Sequence, residues 1–309
     1  MAYILAVVGL IILISAGDFL VRGAVNLSLR LGIPAFIVSL TIVAFGTSAP
    51  ELLISVSAIL HDQPGLALGN VVGSNTANTL LVLGVPALMA GLHTSEINTR
   101  KNYALMLLAT LLFMGAMFLG PITWIHGAVL LATLAFILGI AIKDARGHRR
   151  DFEAVESADP KMPGRWITLY LLAGLIGLPL GAQILVDNSI IIARSIGVSE
   201  TVIGLTLVSI GTSAPELATT VMAAIRRQAD IVLGSVIGSN MFNLLAIVGI
   251  SSFVGPMAVP PALVAFDMWI MAGAALILIP FVYFKQDINR IWGAALTLIY
   301  VSYLLILLK

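Results

Sequence analysis

The chain contains the same acidic motif twice, each time inside a strongly apolar stretch. Residues 46–51 read Gly-Thr-Ser-Ala-Pro-Glu, and residues 211–216 repeat this motif without a change. A carboxylate at membrane depth is rare and usually marks an ion pathway or a relay, because its removal from water costs about 3 kcal/mol or more. Glu51 and Glu216 therefore indicate a cation site to which both copies of the motif contribute.

A second polar motif follows each acidic one. Residues 69–78 read Gly-Asn-Val-Val-Gly-Ser-Asn-Thr-Ala-Asn, and residues 234–243 read Gly-Ser-Val-Ile-Gly-Ser-Asn-Met-Phe-Asn. Residues three or four apart share one face of a helix, so the oxygen atoms of these motifs can converge on one point. The glycines spaced by four residues in both motifs allow helices to pack closely.

Pro50 and Pro215 lack an N–H group and are expected to kink or break their helices, which frees nearby backbone carbonyls to line a cavity. The candidate ligands are eight side chains: Thr47, Ser48, Glu51 and either Ser74 or Asn78 from one half, and Thr212, Ser213, Glu216 and either Ser239 or Asn243 from the other. The freed carbonyls include those of Ala44, Thr47, Ser209 and Thr212. An all-oxygen set of this kind suits Ca²⁺, Na⁺ or Mg²⁺ better than zinc or copper. The two carboxylates can be balanced by one Ca²⁺, by two Na⁺ or by two protons, which is a basis for exchange.

The composition restricts the chain to integral membrane proteins. Hydrophobic residues make up 60% of the 309 residues and charged residues only 10%, which excludes a soluble globular domain. The net charge of +1 gives no reason to expect a nucleic-acid partner, and the absence of cysteine excludes thiolate ligands and a cysteine nucleophile. We expect the lipid bilayer as surroundings, with no cofactor and no obligate protein partner.

The motifs belong to an internal duplication. When the chain is shifted by 165 residues, 23 of the 53 aligned pairs between 32–84 and 197–249 are identical, without a gap. Apolar runs predict an all-α protein with ten transmembrane helices. The predicted spans are residues 3–29, 34–60, 65–91, 102–119, 123–143, 166–195, 199–225, 231–255, 265–284 and 289–308. Because five spans per half is an odd number, the second half enters the membrane from the opposite side, which predicts two inverted repeats.

The distribution of basic residues predicts the orientation. With both termini outside the cell, fourteen of the sixteen Lys and Arg residues fall on the cytoplasmic side, all except Arg194 and Lys309. The polar segment 144–165 is then a cytoplasmic linker between a first repeat, 1–143, and a second repeat, 166–309.

The paired motifs resemble the α-repeats of the cation/calcium exchanger superfamily, and they are most similar to those of the sodium/calcium exchangers. The strong match covers 32–84 and 197–249. The resemblance implies ten spans in an inverted repeat, and alternating access in which the first and sixth helices slide across a core of four helices. A linker without a large regulatory domain is similar to that of prokaryotic members, so we expect the inner membrane of a prokaryotic cell.

The resemblance also implies roles for individual residues. Ca²⁺ would be bound by Glu51 and Glu216 together with the carbonyls of Thr47 and Thr212, and Asn78 and Asn243 would lie at the centre. Flanking Na⁺ sites would be formed by serine hydroxyls and two carbonyls: Ser48 and Ser239 on one side, Ser74 and Ser213 on the other, with the carbonyls of Ala44 and Ser209.

We therefore expect secondary antiport of Ca²⁺ against Na⁺, with no covalent chemistry. Exchange of Ca²⁺ for H⁺ is the main alternative, because carboxylates can trade a metal ion for protons. A remote alternative from another class is an intramembrane hydrolase with a catalytic pair of carboxylates. The role of Asp18, which lies toward the end of the first span, stays open between structural pairing and a place on the access path.

Overall fold

The computed structural model describes residues 1–147, 162–197 and 209–307, and these residues form helices and connecting segments with two isolated β-bridges and no extended strand. Most of the predicted linker and the first part of the predicted seventh span lie outside them. The helices are α1 (Ala2–Leu31), α2 (Ala35–Thr47), α3 (Ala49–Leu60), α4 (Pro64–Ala90), α5 (Arg100–Phe118), α6 (Trp124–Gly147), α7 (Gly164–Ser195), α8 (Ser209–Thr212), α9 (Ala214–Ile225), α10 (Ala229–Val254), α11 (Leu263–Tyr283) and α12 (Arg290–Leu307).

The long apolar helices agree with an all-α membrane protein. Within the described residues, eight helices are long and apolar enough to cross a bilayer, and the bent pair α2–α3 makes a ninth candidate. These nine correspond in order to nine of the ten predicted spans. The remaining predicted span, 199–225, is described only from residue 209 onward, where it consists of the short helices α8 and α9.

The helix boundaries follow the internal duplication. α3 spans 49–60 and α9 spans 214–225, so both ends lie 165 residues apart. Each helix also ends in the same left-handed turn, with φ of 56° at Asp62 and 57° at Arg227. In both turns a backbone N–H reaches back five residues, from Gln63 to Ala58 and from Gln228 to Ala223, at 2.8 Å. The two halves therefore share local geometry where their sequences differ.

Four segments of wider π-helical turn interrupt the described helices: Ser39–Val43, Asn78–Val82, Phe242–Ile247 and Leu263–Asp267. Such turns are rare in proteins, and those that occur are often at functional sites. Two of them, in α4 and α10, lie at the end of the second polar motif of each half. The two helices therefore widen at corresponding places.

The helices α4 and α10 form the centre of the bundle. The burial of the most apolar 18-residue stretch differs between the helices. All of this stretch is buried in α10 and 78% of it in α4, against 33% in α1 and 22% in α7. The helices α1 and α7 pack against each other through glycines, since a Cβ on Gly174 would lie 2.6 Å from the Cβ of Leu20. At about 45 and 48 Å, both are longer than a hydrocarbon layer of about 30 Å requires, so they cross it at a tilt.

Asp18 on α1 is part of an ion-pair network. Its carboxylate lies 2.8 Å from the guanidinium of Arg22, one turn further along α1, and it also pairs with Arg226, directly after the end of α9. Of the two roles left open from the sequence, the structure shows the pairing. This network ties α1 to the helix that carries Glu216.

Two glycines let α10 approach α2. A Cβ on Gly238 would lie 2.5 Å from the carbonyl oxygen of Leu40 and 2.7 Å from the Cβ of Ala44, and a Cβ on Gly234 would lie 2.7 Å from the carbonyl oxygen of Phe36. The close packing predicted for these glycines is therefore present. The segment that the duplication aligns with α2 lies mostly outside the described residues, so the same prediction for Gly69 and Gly73 stays a prediction.

We expect Gly238→Ala to lower the melting temperature of the purified protein by several degrees, because overpacking a tight contact typically costs about 1–3 kcal/mol. Tryptophan fluorescence during heating in detergent measures this change. The matched control is Gly115→Ala in α5, where no described atom lies within 4 Å of the new Cβ. Equal melting temperatures for the two variants would contradict the contact between α10 and α2.

Candidate cation site

Each acidic motif lies at a break between two helices. Ser48 separates α2 from α3 with φ −85° and ψ 5°, and the two helices are bent by 41°. Ser213 has nearly the same conformation before α9, with φ −89° and ψ 6°. Pro50 and Pro215 lie in the first turn of the second helix, where a missing N–H breaks no helical hydrogen bond. The proline therefore starts a helix at each site instead of kinking a continuous one.

The predicted ligands are buried almost without exception. Glu51 and Glu216 are each 1% exposed, and their first-turn positions in α3 and α9 place them near the positive ends of the helix dipoles. The other buried members of the predicted set are Ala44, Thr47, Ser48, Ser74, Asn78, Ser213, Ser239 and Asn243. Thr212 is partly exposed, and the side chain of Ser209 lies outside the described residues.

The structure brings the carboxylates of the two halves together. Ser48 donates a hydrogen bond of 3.3 Å from its hydroxyl to Oε1 of Glu216, across the two halves of the chain. Because Ser48 lies three residues before Glu51, this bond brings the two acidic motifs to one place. Two like charges in one buried place are strongly unfavourable unless a cation or protons balance them.

The second polar motif lines the neighbouring helices. Asn78 begins the π-helical turn of α4, and Asn243 lies in that of α10, while Ser74 and Ser239 precede them by one turn. α3 packs on α4 and α9 packs on α10, which places these residues beside the acidic helices. Among the described contacts, no hydrogen bond joins the amides of Asn78 and Asn243 to the carboxylates.

Most of the buried polar atoms without a hydrogen-bond partner belong to the predicted ligands. Twelve such side-chain atoms occur in the described residues, and eight of them belong to six predicted ligands. They are Oε2 of Glu51, Oε2 of Glu216, the hydroxyls of Ser213 and Ser239, and both amide atoms of Asn78 and Asn243. A buried polar group without a partner costs about 1–3 kcal/mol, and native proteins contain few of them. Oxygen atoms concentrated in this way fit a cation such as Ca²⁺ or Na⁺ and the water that accompanies it.

The Ala44 carbonyl is the predicted ligand that is least available in this conformation. It accepts the backbone N–H of Ser48 at 3.1 Å and the Thr47 hydroxyl at 3.3 Å. A role of this carbonyl in binding Na⁺ stays a prediction. The described residues contain no group of three or more His, Cys, Asp or Glu able to hold a metal ion, so a cation here depends on two carboxylates and neutral oxygens.

Three further residues, Asn70, Ser55 and Thr220, position the site and were not predicted. Asn70 donates to the carbonyl of Glu51 at 3.2 Å and to the hydroxyl of Ser55 at 3.0 Å, which fixes α3 on α4. Thr220, one turn after Glu216, donates to the carbonyl of Val82 at 3.0 Å and so ties α9 to α4. Asn70 lies inside the second motif, but a sequence gives no sign of which backbone carbonyl its amide reaches.

A comparison with known families decides the identity. The model of the sodium/calcium exchanger protein family matches residues 1–143 and 166–309. The chain belongs to the sodium/calcium exchanger family. It is therefore a membrane transporter and not an enzyme, and the remote hydrolase alternative does not apply.

Individual proteins similar to this chain include transporters of Ca²⁺. The chain is 30% identical to the sodium/calcium exchanger MaX1 of Methanosarcina acetivorans over 342 residues, which covers 99% of this chain and 98% of MaX1. It is 25% identical to the Ca²⁺/H⁺ antiporter ChaA of Bacillus subtilis over 275 residues, or 82% and 78% of the two chains. A structure of the sodium–calcium exchanger NCX_Mj soaked with zero Na⁺ and Ca²⁺ matches with a TM-score of 0.85 and 30% identity, over 99% of this chain and 98% of that one.

We expect Ca²⁺ to raise the melting temperature of the wild-type protein, because a ligand that binds the native state stabilises it by mass action, by about 2.7 kcal/mol at 100 times its Kd. Glu216→Gln keeps the shape of the side chain but removes one of the two charges. This variant is expected to lose most of the Ca²⁺-dependent shift, measured by heating in detergent with and without Ca²⁺.

Asp267→Asn is the matched control for this experiment. Asp267 is another carboxylate in a membrane helix, but its Oδ1 accepts a 2.8 Å hydrogen bond from Tyr303, and no described hydrogen bond or ion pair joins it to Glu51 or Glu216. Its variant should keep the full shift. A full Ca²⁺-dependent shift in both Glu51→Gln and Glu216→Gln would exclude the carboxylate pair as the binding site.

Proposed function

We propose that the protein is an antiporter that exchanges Ca²⁺ for Na⁺ across the membrane by alternating access. Membership of the family makes it a cation exchanger that acts on Ca²⁺, and the coupling to Na⁺ is the part that we propose. The observation that carries the proposal is the pair Glu51 and Glu216, buried together and surrounded by hydroxyl and amide groups without partners.

The charge of this pair supports exchange of one ion for another over transport of a single kind of ion. Because the charge of −2 is balanced by one Ca²⁺ or by two Na⁺, the two kinds of ion compete for the same carboxylates. We assign Ca²⁺ to Glu51 and Glu216 with the carbonyls of Thr47 and Thr212. We assign Na⁺ to flanking positions that use hydroxyls and carbonyls of Ser48, Ser74, Ser213, Ser239, Ala44 and Ser209, with Asn78 and Asn243 between them.

The architecture that we propose for this exchange is an inverted repeat of ten spans. Residues 1–143 form one repeat, 166–309 form the other, and 144–165 is a cytoplasmic linker. The matching bounds of α3 and α9, at the same distance along the chain, support two equivalent halves. Broken helices that meet at mid-membrane depth are typical of transporters with this architecture.

Exchange of Ca²⁺ for H⁺ is a second candidate, favoured by the similarity to the antiporter ChaA. A carboxylate pair can release a metal ion when it takes up protons. The hydroxyls and amides that we place around Glu51 and Glu216 support coupling to Na⁺, because such groups can bind Na⁺ but are not needed to hold protons.

We expect wild-type protein in proteoliposomes to take up ⁴⁵Ca²⁺ when Na⁺ is loaded inside and diluted outside. Glu51→Gln and Glu216→Gln should each reduce this uptake to the level of empty vesicles, because both charges are needed to hold Ca²⁺. Asp267→Asn should transport as the wild type does, since this carboxylate is bonded to Tyr303 and is not one of the proposed ligands.

The same vesicles separate the coupling ions. A proton gradient imposed without Na⁺ should give no uptake if Na⁺ is the coupling ion. Uptake driven by protons alone would replace our proposal with exchange of Ca²⁺ for H⁺, and uptake under neither gradient would refute both.

We expect single cysteines to report the proposed orientation without background, because the chain has no cysteine of its own. In intact cells, a membrane-impermeant maleimide should label Ala2→Cys and Lys309→Cys but not Ser157→Cys in the linker. After the cells are broken, Ser157→Cys should be labelled as well. Termini on opposite sides of the membrane would contradict the ten-span inverted repeat.

A further inference from the structure

The two halves are joined beside the cation site by a closed set of hydrogen bonds that the proposed transport does not use. Asn75 donates from Nδ2 to the backbone carbonyl of Asn240 at 3.2 Å. Asn240 donates in turn from Nδ2 to the hydroxyl of Thr79 at 3.0 Å. Thr79 donates that hydroxyl to the carbonyl of Asn75 at 3.2 Å, which closes the circuit. We call Asn75, Asn240 and Thr79 the amide bridge.

The amide bridge joins the two most buried helices of the protein. Asn75 and Thr79 lie on α4, Asn240 lies on α10, and all three side chains are at most 3% exposed. In this low-dielectric surrounding a hydrogen bond is stronger than in water, and a lost partner is costly. The bridge therefore holds α4 and α10 at one separation where their backbones cross.

The bridge lies beside the candidate ligands along the chain. Asn75 follows Ser74 directly and precedes Asn78 by one turn, and Asn240 has the same place between Ser239 and Asn243. The separation of α4 and α10 consequently sets the distance between these two pairs of oxygen ligands. The bridge also contacts α5, since Nδ2 of Asn240 lies 3.7 Å from Sδ of Met106 on that helix.

The amide bridge is one-sided although its two asparagines correspond to each other in the duplication. The residue that corresponds to Thr79 is Leu244, which has no hydroxyl to accept the amide of Asn75. The Oδ1 atoms of Asn75 and Asn240 are both buried without a partner. A single threonine hydroxyl thus completes the bridge, so a change at that one atom can test it.

We propose that Asn75, Asn240 and Thr79 are positioning residues that set the width of the cation cage and thereby select divalent ions by radius. This inference rests on the proposed cation site. Ca²⁺ prefers oxygen ligands at about 2.3–2.6 Å, and Ba²⁺, which is larger, needs a wider cage. With α4 and α10 held at one separation the cage binds Ca²⁺ more tightly than Ba²⁺, and without the bridge the helices move apart enough to weaken this preference.

The experiment compares Thr79→Val with Thr79→Ser. Valine has nearly the shape of threonine but no hydroxyl, whereas serine keeps the hydroxyl that completes the bridge. Competition of Ba²⁺ against ⁴⁵Ca²⁺ uptake in proteoliposomes gives the ratio of the apparent affinities for the two ions. We expect Thr79→Val to shift this ratio about tenfold toward Ba²⁺, equivalent to about 1.4 kcal/mol, and Thr79→Ser to keep the wild-type ratio.

A second measurement does not depend on transport. The increase in melting temperature caused by Ca²⁺ and that caused by Ba²⁺ are compared in detergent for the wild type, Thr79→Val and Thr79→Ala. The Ba²⁺-dependent increase should grow relative to the Ca²⁺-dependent one in both variants that lack the hydroxyl. If the bridge only holds the fold together, both variants melt at a lower temperature with an unchanged ratio between the ions.

That result, or an unchanged competition ratio in Thr79→Val, would overturn the inference while leaving the exchanger itself intact. A wild-type protein that transports no Ca²⁺ under any gradient would instead refute the proposed function. In that case, the comparison of melting temperatures still decides whether the bridge selects between the ions.

Discussion

Two buried carboxylates at the breaks between apolar helices are the constraint on which this structure depends. Glu51 and Glu216 come from different halves of the chain, are almost completely removed from water, and belong to motifs that the hydrogen bond from Ser48 to Glu216 joins. The desolvation of even one unpaired charge costs several kcal/mol. The helix dipoles, the Ser48 hydroxyl and the breaks between helices reduce that cost but do not cancel it. In the exchange that we propose, a bound cation would supply the charge that this arrangement lacks, which would couple occupancy of the site to folding.

Much of this arrangement could be predicted from the sequence, because it depends on local rules. Pro50 and Pro215 indicate where helices are interrupted, and the duplication indicates that α3 and α9 have equal lengths. The contacts between helices were less predictable. That Ser48 reaches Glu216 while its counterpart Ser213 has no partner depends on how two helices cross, and this is not encoded in spacing along one chain. The π-helical turns and the amide bridge depend on the same tertiary packing.

The helices α3 and α9 have matching bounds, but the side chains around them differ between the halves. The ion pair between Asp18 and Arg226 connects α1 to the end of α9. The residues that the duplication aligns with them are Gln183, which has no charge, and His61, so the same ion pair cannot form in the other half. Arg22 is a second basic partner of Asp18. The duplication therefore does not extend to the ion pairs that connect α1 to α9.

The π-helical turns also change the register of the helices that contain them. A wider turn typically contains one more residue than the regular helix it interrupts. The turns Asn78–Val82 and Phe242–Ile247 overlap in the part of the duplication that aligns without a gap. One extra residue rotates the side chains that follow it by about 100° relative to a regular helix, so the residues beyond the second polar motif change direction in the same sense in both halves.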